Sequence, residues 1–245
     1  MNRRIKKIAG FLFGLILLNL IILPAHSQTG KDILEKMIEA LGGRKTLAEI
    51  KDTKIIGTME IIQYGMTAPM TIYQKEPNKY RMEMEVMGYT MIQVYDGQKA
   101  MMTNPQTGEV VELTPDQTKG LMKQALGNDA TLNPEKYGIT YTYKGEETVD
   151  GKKYYVLEQK FQDGDITTMY LDAATYLPYK SKSKGLSPTG TEVETDVVFS
   201  DYRKVGNTQA AFSMTISQAG AEYIRMIISE IVYNSGLDDS LFVLK

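Results

Sequence analysis

The sequence predicts a mostly β, α+β protein in which a curled antiparallel sheet of about ten or eleven strands has an apolar concave face covered by helices. Three observations predict it. β-Branched, alternating segments recur from residue 53 onward. Turn signals separate them at intervals of about 10–15 residues, which favours an antiparallel meander over βαβ units. Two amphipathic helical segments each need a sheet face to cover.

The N-terminus has the parts of a secretory signal. Basic residues stand within the first seven positions, an apolar run of 16 residues follows at 8–23, and Pro24 ends it. Ala25 and Ser27 are small residues at the positions that signal peptidase reads, so residues 1–27 are predicted to be a signal peptide cleaved after Ser27. The alternative is an uncleaved anchor, although a spanning helix needs about 20 apolar residues. No cysteine follows the run to carry a lipid.

Residues 28–245 are predicted to form a single domain without catalytic chemistry. His26 is the one histidine and leaves with the signal, and the chain has no Cys or Trp. A histidine base, a cysteine nucleophile, the usual zinc sites and disulfides are therefore excluded. We predict no catalytic residue, no metal, no cofactor and no enzymatic activity. Cleavage leaves 24 Lys and Arg against 30 Asp and Glu, so nucleic acid is not an expected partner.

A helix is predicted at the start of the mature chain, from about Lys31 to Leu41. Its apolar residues recur on one face, and Gly42 and Gly43 end it. The sequence from Thr46 to Glu49 resembles a capping box that opens a further short helix.

A second main helix is predicted after residue 113. Thr114 is its N-cap, Pro115 takes the first helical position, Gln117 completes a capping box, and Gly127 ends the helix. Its predicted apolar face consists of Leu121, Met122, Ala125 and Leu126.

Strands account for the rest. They are predicted at 53–64, 69–75, 79–87, 89–95, 99–103 and 109–113, and again from residue 137 onward, with turns at 96–97, 104–108, 150–151, 163–164, 173–175, 188–190, 206–207 and 219–220. The strand at 79–87 alternates perfectly. One face carries Tyr80, Met82, Met84 and Val86, and the other carries Lys79, Arg81, Glu83 and Glu85. We expect the first face to be buried and the second to be solvated.

Methionine is concentrated in this first run of strands. Eight of the 15 methionines lie between Met66 and Met102. The side chain is unbranched and polarizable, so it specifies a rigid core poorly and adapts well to apolar partners of variable shape. An apolar binding cavity between sheet and helices is one interpretation; an ordinary core filled by Met and Tyr is the alternative.

Two charged patterns are interpreted as solvated strand faces. Glu83 and Glu85 are spaced about 6.5–7 Å apart along a strand, which overlaps the carboxylate spacing of inverting glycosidases. They lie opposite the apolar stripe, so a hydrolase is the least favoured function. Lys180, Lys182 and Lys184 also alternate along a strand.

Several segments together resemble the LolA-like family of outer-membrane lipoprotein-sorting carriers, the superfamily that includes LolB and LppX. They are Lys75–Glu83 (KEPNKYRME), Asp96-Gly97, Asn104-Pro105, Met169–Asp172 (MYLD) and Asn234–Phe242. The order of elements also agrees over nearly the whole mature chain. Met101 stands where the family commonly has an aromatic residue after the Asp-Gly turn, and no residue is assigned to the family's lid-locking arginine.

The resemblance implies an unclosed antiparallel β-barrel whose concave apolar side is covered by helices. It implies a periplasmic, monomeric carrier that binds the acyl chains of lipoproteins or lipids, receives them from an inner-membrane donor complex and delivers them to an outer-membrane acceptor. The alternatives are an envelope-stress sensor or lipid-binding regulatory domain of the same fold, and a structural surface domain without transport. The predicted lining residues are Met59, Ile61, Tyr80, Met82, Met84, Val86, Met91, Met101, Leu121 and Met122.

Overall fold

A computed structural model describes residues 28–86, 88–104, 106–186 and 192–244. The predicted signal peptide (1–27) and the predicted turn at 188–190 lie outside the described residues.

The helices are α1 (Gly30–Leu41), α2 (Arg44–Glu49), α3 (Pro115–Gln124) and α4 (Asn128–Leu132). The strands are β1 (Asp52–Ile61), β2 (Met66–Lys75), β3 (Lys79–Val86), β4 (Tyr89–Tyr95), β5 (Ala100–Thr103), β6 (Val110–Glu112), β7 (Thr140–Val149), β8 (Lys152–Lys160), β9 (Ile166–Asp172), β10 (Pro178–Leu186), β11 (Glu192–Val205), β12 (Thr208–Gln218) and β13 (Ala221–Tyr233). Short 3₁₀ turns cover Ile62–Tyr64, Pro134–Tyr137 and Asp239–Phe242.

The strands form one antiparallel sheet in the order β6-β5-β4-β3-β2-β1-β13-β12-β11-β10-β9-β8-β7. Two meanders, β1–β6 and β7–β13, are joined where β13 pairs with β1. The edge strands β6 and β7 do not pair with each other in the described sheet, so it stays unclosed. The predicted fold class is confirmed. The sheet has 13 strands instead of ten or eleven. Its shortest strands, β5 and β6, at four and three residues, form where strands were predicted at 99–103 and 109–113.

The N-terminal helix forms where it was predicted. Thr29 and Asp32 make its capping box, and its buried side packs on β7 and β8. Gly42 ends the helix with φ at 132°, and a Cβ there would lie 2.7 Å from the Asn207 carbonyl oxygen, so only glycine fits this close approach. The predicted capping box at Thr46 is wrong: α2 begins at Arg44, directly after the glycine pair, and Thr46 lies inside it.

The predicted capping box of α3 is confirmed. The Thr114 hydroxyl accepts the Gln117 backbone N–H, and the Gln117 side chain accepts the Thr114 N–H. Leu121 is the residue that α3 buries, against β4 and β5. The chain then turns at Gly127 into α4, which was not predicted because five residues show too little periodicity.

Two buried clusters occupy opposite halves of the concave side. The first, here called the methionine cluster, lies under α3 on β1–β5, β12 and β13. Its buried members are Met59, Ala68, Met70, Ile72, Tyr80, Met84, Tyr95, Ala100, Leu113, Leu121, Ala125 and Met226. The second, the α1 cluster, joins α1, α2 and α4 to β8 and β9. Its buried members are Ile33, Leu34, Met37, Ile38, Leu47, Ile50, Leu132, Leu157 and Leu171.

The C-terminal segment packs on the convex side of β3. Phe242 is fully buried, and the Leu241 carbonyl accepts a hydrogen bond from Arg81 at 2.8 Å. Asp239 binds Lys79 at 3.1 Å. The charged face of β3 is therefore less solvated than the alternation suggested: the Arg81 side chain is only 12% exposed. The C-terminal segment covers the charged face of β3, and no local pattern in the β3 sequence indicates this cover.

None of the helices within the described ranges is long and apolar enough to span a membrane.

Candidate functional site

A cavity of about 520 Å³ lies between the middle of the sheet and the helical segments, between the two buried clusters. More than half of its lining residues are apolar. On the sheet side these include Ile55, Met169, Phe199, Met214, Ile228 and Ile231. On the helical side they are Leu41, Leu47, Ile50, Ala125 and Leu126. The helical wall thus comes from two separate segments, the end of α1 with α2, and the α3–α4 junction.

The ten residues that sequence reasoning predicted as lining are not among those that line this cavity. Four are buried in the methionine cluster, namely Met59, Tyr80, Met84 and Leu121. Three more, Met82, Val86 and Met91, are partly buried against that cluster. These seven residues therefore belong to a packed core that lies beside the cavity. Their contact with a ligand stays a prediction.

The other three lie outside the methionine cluster. Ile61 shares the alternation of Met59 but stands at the end of β1, opposite Ile224. Met101 pairs with Val94, whereas its neighbours Ala100 and Met102 belong to the cluster side, so alternation turns Met101 to the convex face. Met122 is 37% exposed on the outer side of α3, because Leu121 takes the inward position.

Sequence reasoning missed the wall formed by β9–β13. Ala210 and Ala211 line the cavity, and an alanine leaves more room there than a larger side chain would. The alternation of Ile224, Met226 and Ile228 in β13 marks that strand's inner face. The pairing of β13 with β1 places this face beside Ile55. No local sequence pattern predicts that pairing.

The buried carboxylate of Asp52 is held by the chain after β13. It accepts the N–H groups of Ser235 at 2.7 Å, Gly236 at 3.0 Å and Leu237 at 3.4 Å, together with the Ser235 hydroxyl at 2.8 Å. Burial by itself raises the pKa of Asp52, but these hydrogen bonds outweigh it and hold the pKa below 3.8. Asp52 is thus a structural anion at the cavity wall.

Glu76, in the turn between β2 and β3, binds the start of α4. Its carboxylate accepts the N–H of Asn128 at 2.6 Å and that of Asp129 at 3.3 Å. Burial raises the pKa of Glu76 although these two bonds oppose the rise. A Cβ at residue 127 would lie 2.2 Å from the Glu76 carboxylate, so Gly127 is needed for the contact.

The lysines that line the cavity are also engaged by protein groups. The Lys51 ammonium donates to the Ala48 carbonyl at 2.7 Å. Lys75 donates to the Leu237 carbonyl at 2.7 Å and binds Asp239. A third, Lys180, has its own partners on the convex side: Asp196 at 3.3 Å and the Tyr170 ring, whose centroid is 5.5 Å away.

An ionic cluster links α3 to the β8–β9 turn across the open seam of the sheet, which is the gap between the edge strands β6 and β7. Lys119 lies 3.1 Å from Asp163 and 3.0 Å from Asp165, both in the β8–β9 turn. Lys123 lies 2.9 Å from Asp163 and also contacts Asp165. Burial raises the pKa of Asp163, but hydrogen bonds from the Asp165 backbone and from both lysines outweigh it and lower the pKa to about 2. These contacts join the helical cover to the far half of the sheet.

Within the described ranges, no group of three or more His, Cys, Asp or Glu side chains is placed to hold an ion.

Comparison with solved structures supports the fold. A DUF1329 family protein from Desulfovibrio piger is 17% identical, with a TM-score of 0.61 over 89% of this chain and 98% of that one. A LolA superfamily protein from Nitrosomonas europaea is 14% identical, with a TM-score of 0.61 over 89% and 99%. A domain assigned to outer membrane lipoprotein sorting from Vibrio parahaemolyticus is 16% identical, with a TM-score of 0.58 over 85% and 95%. The chain therefore has the LolA-like fold, as the resemblance predicted.

Sequence comparison is less informative. No family model matches the chain. An uncharacterized protein of Methanocaldococcus jannaschii is 25% identical over 183 residues, which is 73% of this chain and 51% of that protein. The chain thus spans about half the length of the curated relative it matches.

Proposed function

We propose that this protein is a periplasmic carrier that binds the acyl chains of lipoproteins or lipids and shuttles them toward the outer membrane. The observation that carries the proposal is the cavity of about 520 Å³ between the sheet and two helical covers, with a mostly apolar lining. Its volume lies within the range of about 300–1,000 Å³ that is usual for ligand sites.

The driving force for binding would be burial of hydrocarbon. Each methylene moved out of water contributes about 0.8 kcal/mol, so partial enclosure of one acyl chain gives useful affinity. Ile55, Ile228 and Ile231 would contact the chain from the sheet, and Leu47 and Leu126 from the helices.

Entry would require the α3–α4 segment to move. Glu76 ties one end of this segment, and the Lys119 and Lys123 cluster ties it across the seam. These polar contacts can exchange with water. The α3 helix buries one large apolar side chain, Leu121, and α4 buries one, Leu132, whereas α1 buries four, so moving α3–α4 exposes less apolar surface than moving α1. We therefore assign the moving cover to α3–α4 and the fixed cover to α1–α2.

The remaining parts of the proposal rest on the sequence and on the fold. The predicted signal peptide supports export, and the sorting domain from Vibrio parahaemolyticus, with its similar fold, supports a role with lipoproteins. An inner-membrane donor complex, an outer-membrane acceptor, a monomeric state and the lack of enzymatic activity belong to the same proposal.

The first test is the cargo itself. The full chain is expressed with its signal and purified from the periplasm, and its bound lipids are extracted and identified by mass spectrometry. Acylated molecules in stoichiometric amount are expected. Absence of lipid together with co-purification of a membrane protein would instead favour the sensor alternative.

The second test blocks the cavity. Ala211 lines it, so Ala211→Trp is expected to abolish binding of a fluorescent probe such as N-phenylnaphthylamine. Ile227→Trp is the control, because Ile227 is 47% exposed on the adjoining strand. Equal probe binding by both variants, each folded by circular dichroism, would contradict the proposed site.

A further inference from the structure

The charged side chains of the cavity wall are all bound to other parts of the protein. The cavity is lined by five ionisable acids and lysines, which are Lys51, Asp52, Lys75, Glu76 and Lys180. Each has the partners described above, with polar contacts of 2.6–3.3 Å at its charged group. Lys51 donates to one neutral carbonyl and keeps two N–H donors, whereas a ligand that needed the charge of any of the other four would have to break such a contact. Away from Lys51, the wall is therefore poorly suited to an ionised headgroup.

Two uncharged hydroxyl groups of the same wall are not engaged in this way. Thr167 on β9 and Ser181 on β10 line the cavity, and their hydroxyls form no hydrogen bond with any described residue. The Gln159 amide on β8 donates to the Tyr141 hydroxyl at 2.9 Å, which leaves its carbonyl oxygen as an acceptor. Donors and acceptors are thus both present.

These three side chains share one face of the sheet. Gln159 stands directly opposite Thr167 in the β8–β9 ladder, and Ser181 stands opposite Met169, two residues along β9. Directly opposite side chains on one face have Cβ atoms about 4.5–5.5 Å apart, and diagonal ones about 7–8 Å. Gln159 and Ser181 lie two strands apart, with β9 between them, so the spacing suits one small polar group that reaches Thr167 and Ser181.

The opposite wall has an apolar part. It is formed by Ile55 on β1 and by Ile228 and Ile231 on β13. The cavity is thus amphipathic across its width, with hydrocarbon on one side and hydroxyl and amide groups on the other.

We propose that the ligand of this cavity is an acylglycerol ester, in which an acyl chain adjoins an uncharged ester and free hydroxyl groups, and that Thr167 and Ser181 hydrogen-bond to these oxygens. The inference rests on the proposed acyl-binding function and adds the chemistry beside the chain. Thr167 and Ser181 carry no charge, so an ionised fatty acid whose carboxylate reached them would lose its hydration without an ion pair in return.

The experiment compares ligands that share one acyl chain. Displacement of N-phenylnaphthylamine from the purified protein is titrated with 1-monoolein, methyl oleate and sodium oleate. Monoolein is expected to bind most tightly and oleate least. One uncharged hydrogen bond changes affinity by about two- to tenfold, so at least that ratio is expected between monoolein and methyl oleate.

Matched variants assign the effect to the wall. Thr167→Val with Ser181→Ala is expected to reduce the preference for monoolein over methyl oleate to near unity, because methyl oleate, which has the ester but no hydroxyl, loses less affinity than monoolein does. Thr168→Val is the control, because Thr168 is the next residue of β9 and pairs with Lys182 on the convex side.

The outcomes separate the two proposals. If no oleoyl compound displaces the probe, acyl binding itself fails. If all three displace it equally, or if the double variant keeps the preference for monoolein, acyl binding stands and the ester subsite is overturned. A synthetic diacylglyceryl lipopeptide, titrated in parallel, distinguishes a lipoprotein source from a free lipid: the tighter binder identifies the source.

Discussion

Asn128 donates its backbone N–H to the Glu76 carboxylate at 2.6 Å, so a side chain between β2 and β3 holds the first residue of α4. This contact lies at the cavity wall, because both residues line the cavity. It places an ionisable group at the hinge of the proposed moving cover.

Glu76→Gln is expected to keep or raise stability at pH 7, since the amide oxygen still accepts the Asn128 N–H and no charge is buried. Burial raises the pKa of Glu76 above 4.5. A carboxyl with a raised pKa stabilises the fold below pH 4.5, and this contribution is lost as the pH rises through the folded-state pKa. Urea unfolding between pH 4 and 7 should therefore show a flatter profile for the variant.

Glu76→Ala supplies the contrast. It removes both acceptors of the α4 N–H groups and is expected to lower the free energy of unfolding by about 1–2 kcal/mol. A Gln variant as unstable as the Ala variant would show that the negative charge, and not the hydrogen bond, holds the segment.

Asp163→Asn combined with Asp165→Asn should weaken the tie across the seam. We expect faster probe entry in stopped-flow fluorescence, with little change in final affinity. Because salt screens exposed ion pairs, entry into the unmodified protein should also accelerate with ionic strength, and entry into the variant should not. With the pKa of Asp163 lowered from 3.8 to about 2, the tie is complete above about pH 4 and is lost as the pH falls toward 2.

Lys184→Gln is the control for that experiment. Lys184 binds Glu192 at 3.0 Å in an exposed pair on β10 and β11, away from the seam. Equal acceleration in this variant would point to a general charge effect instead of a cover held by α3.

Met84→Ala tests whether the methionine cluster is core or ligand site. Met84 is 3% exposed under α3, so truncation is expected to lower the free energy of unfolding by about 2–5 kcal/mol without changing probe affinity. Met122→Ala, at an exposed site on the same helix, should change stability by less than about 0.5 kcal/mol. Loss of probe binding in a folded Met84→Ala protein would indicate that the ligand binds in the methionine cluster.

Asp52→Asn should destabilise the attachment of the C-terminal segment. The amide presents N–H groups where Ser235, Gly236 and Leu237 already donate, and a buried donor without a partner costs about 1–3 kcal/mol. Since the pKa of Asp52 is lowered below 3.8, its contribution is present above pH 3.8 and lost as the pH falls through the folded-state value. Urea unfolding at pH 7 and pH 3 should therefore differ less in the variant.

Local patterns predicted the elements well. Periodicity and caps located α1 and α3, and alternation located β3 with Tyr80 and Met84 facing inward. Helix caps and strand alternation depend on residues that are close together in sequence, so local patterns can identify them. The α4 helix and the covered convex face escaped because their signals are too short or lie far away in the chain.

The sequence by itself determined the mostly β class, the amphipathic covers and the lack of His and Cys chemistry after residue 27, because composition and period are local properties. Only the tertiary structure decided where the empty space lies. The methionines that suggested a cavity pack against Leu121 of α3, and the cavity opens beside them, where β13 meets β1. The packing of helices and strands that are distant in sequence decides which residues fill the core and which line a cavity. That packing is a property of the whole sheet and not of one segment.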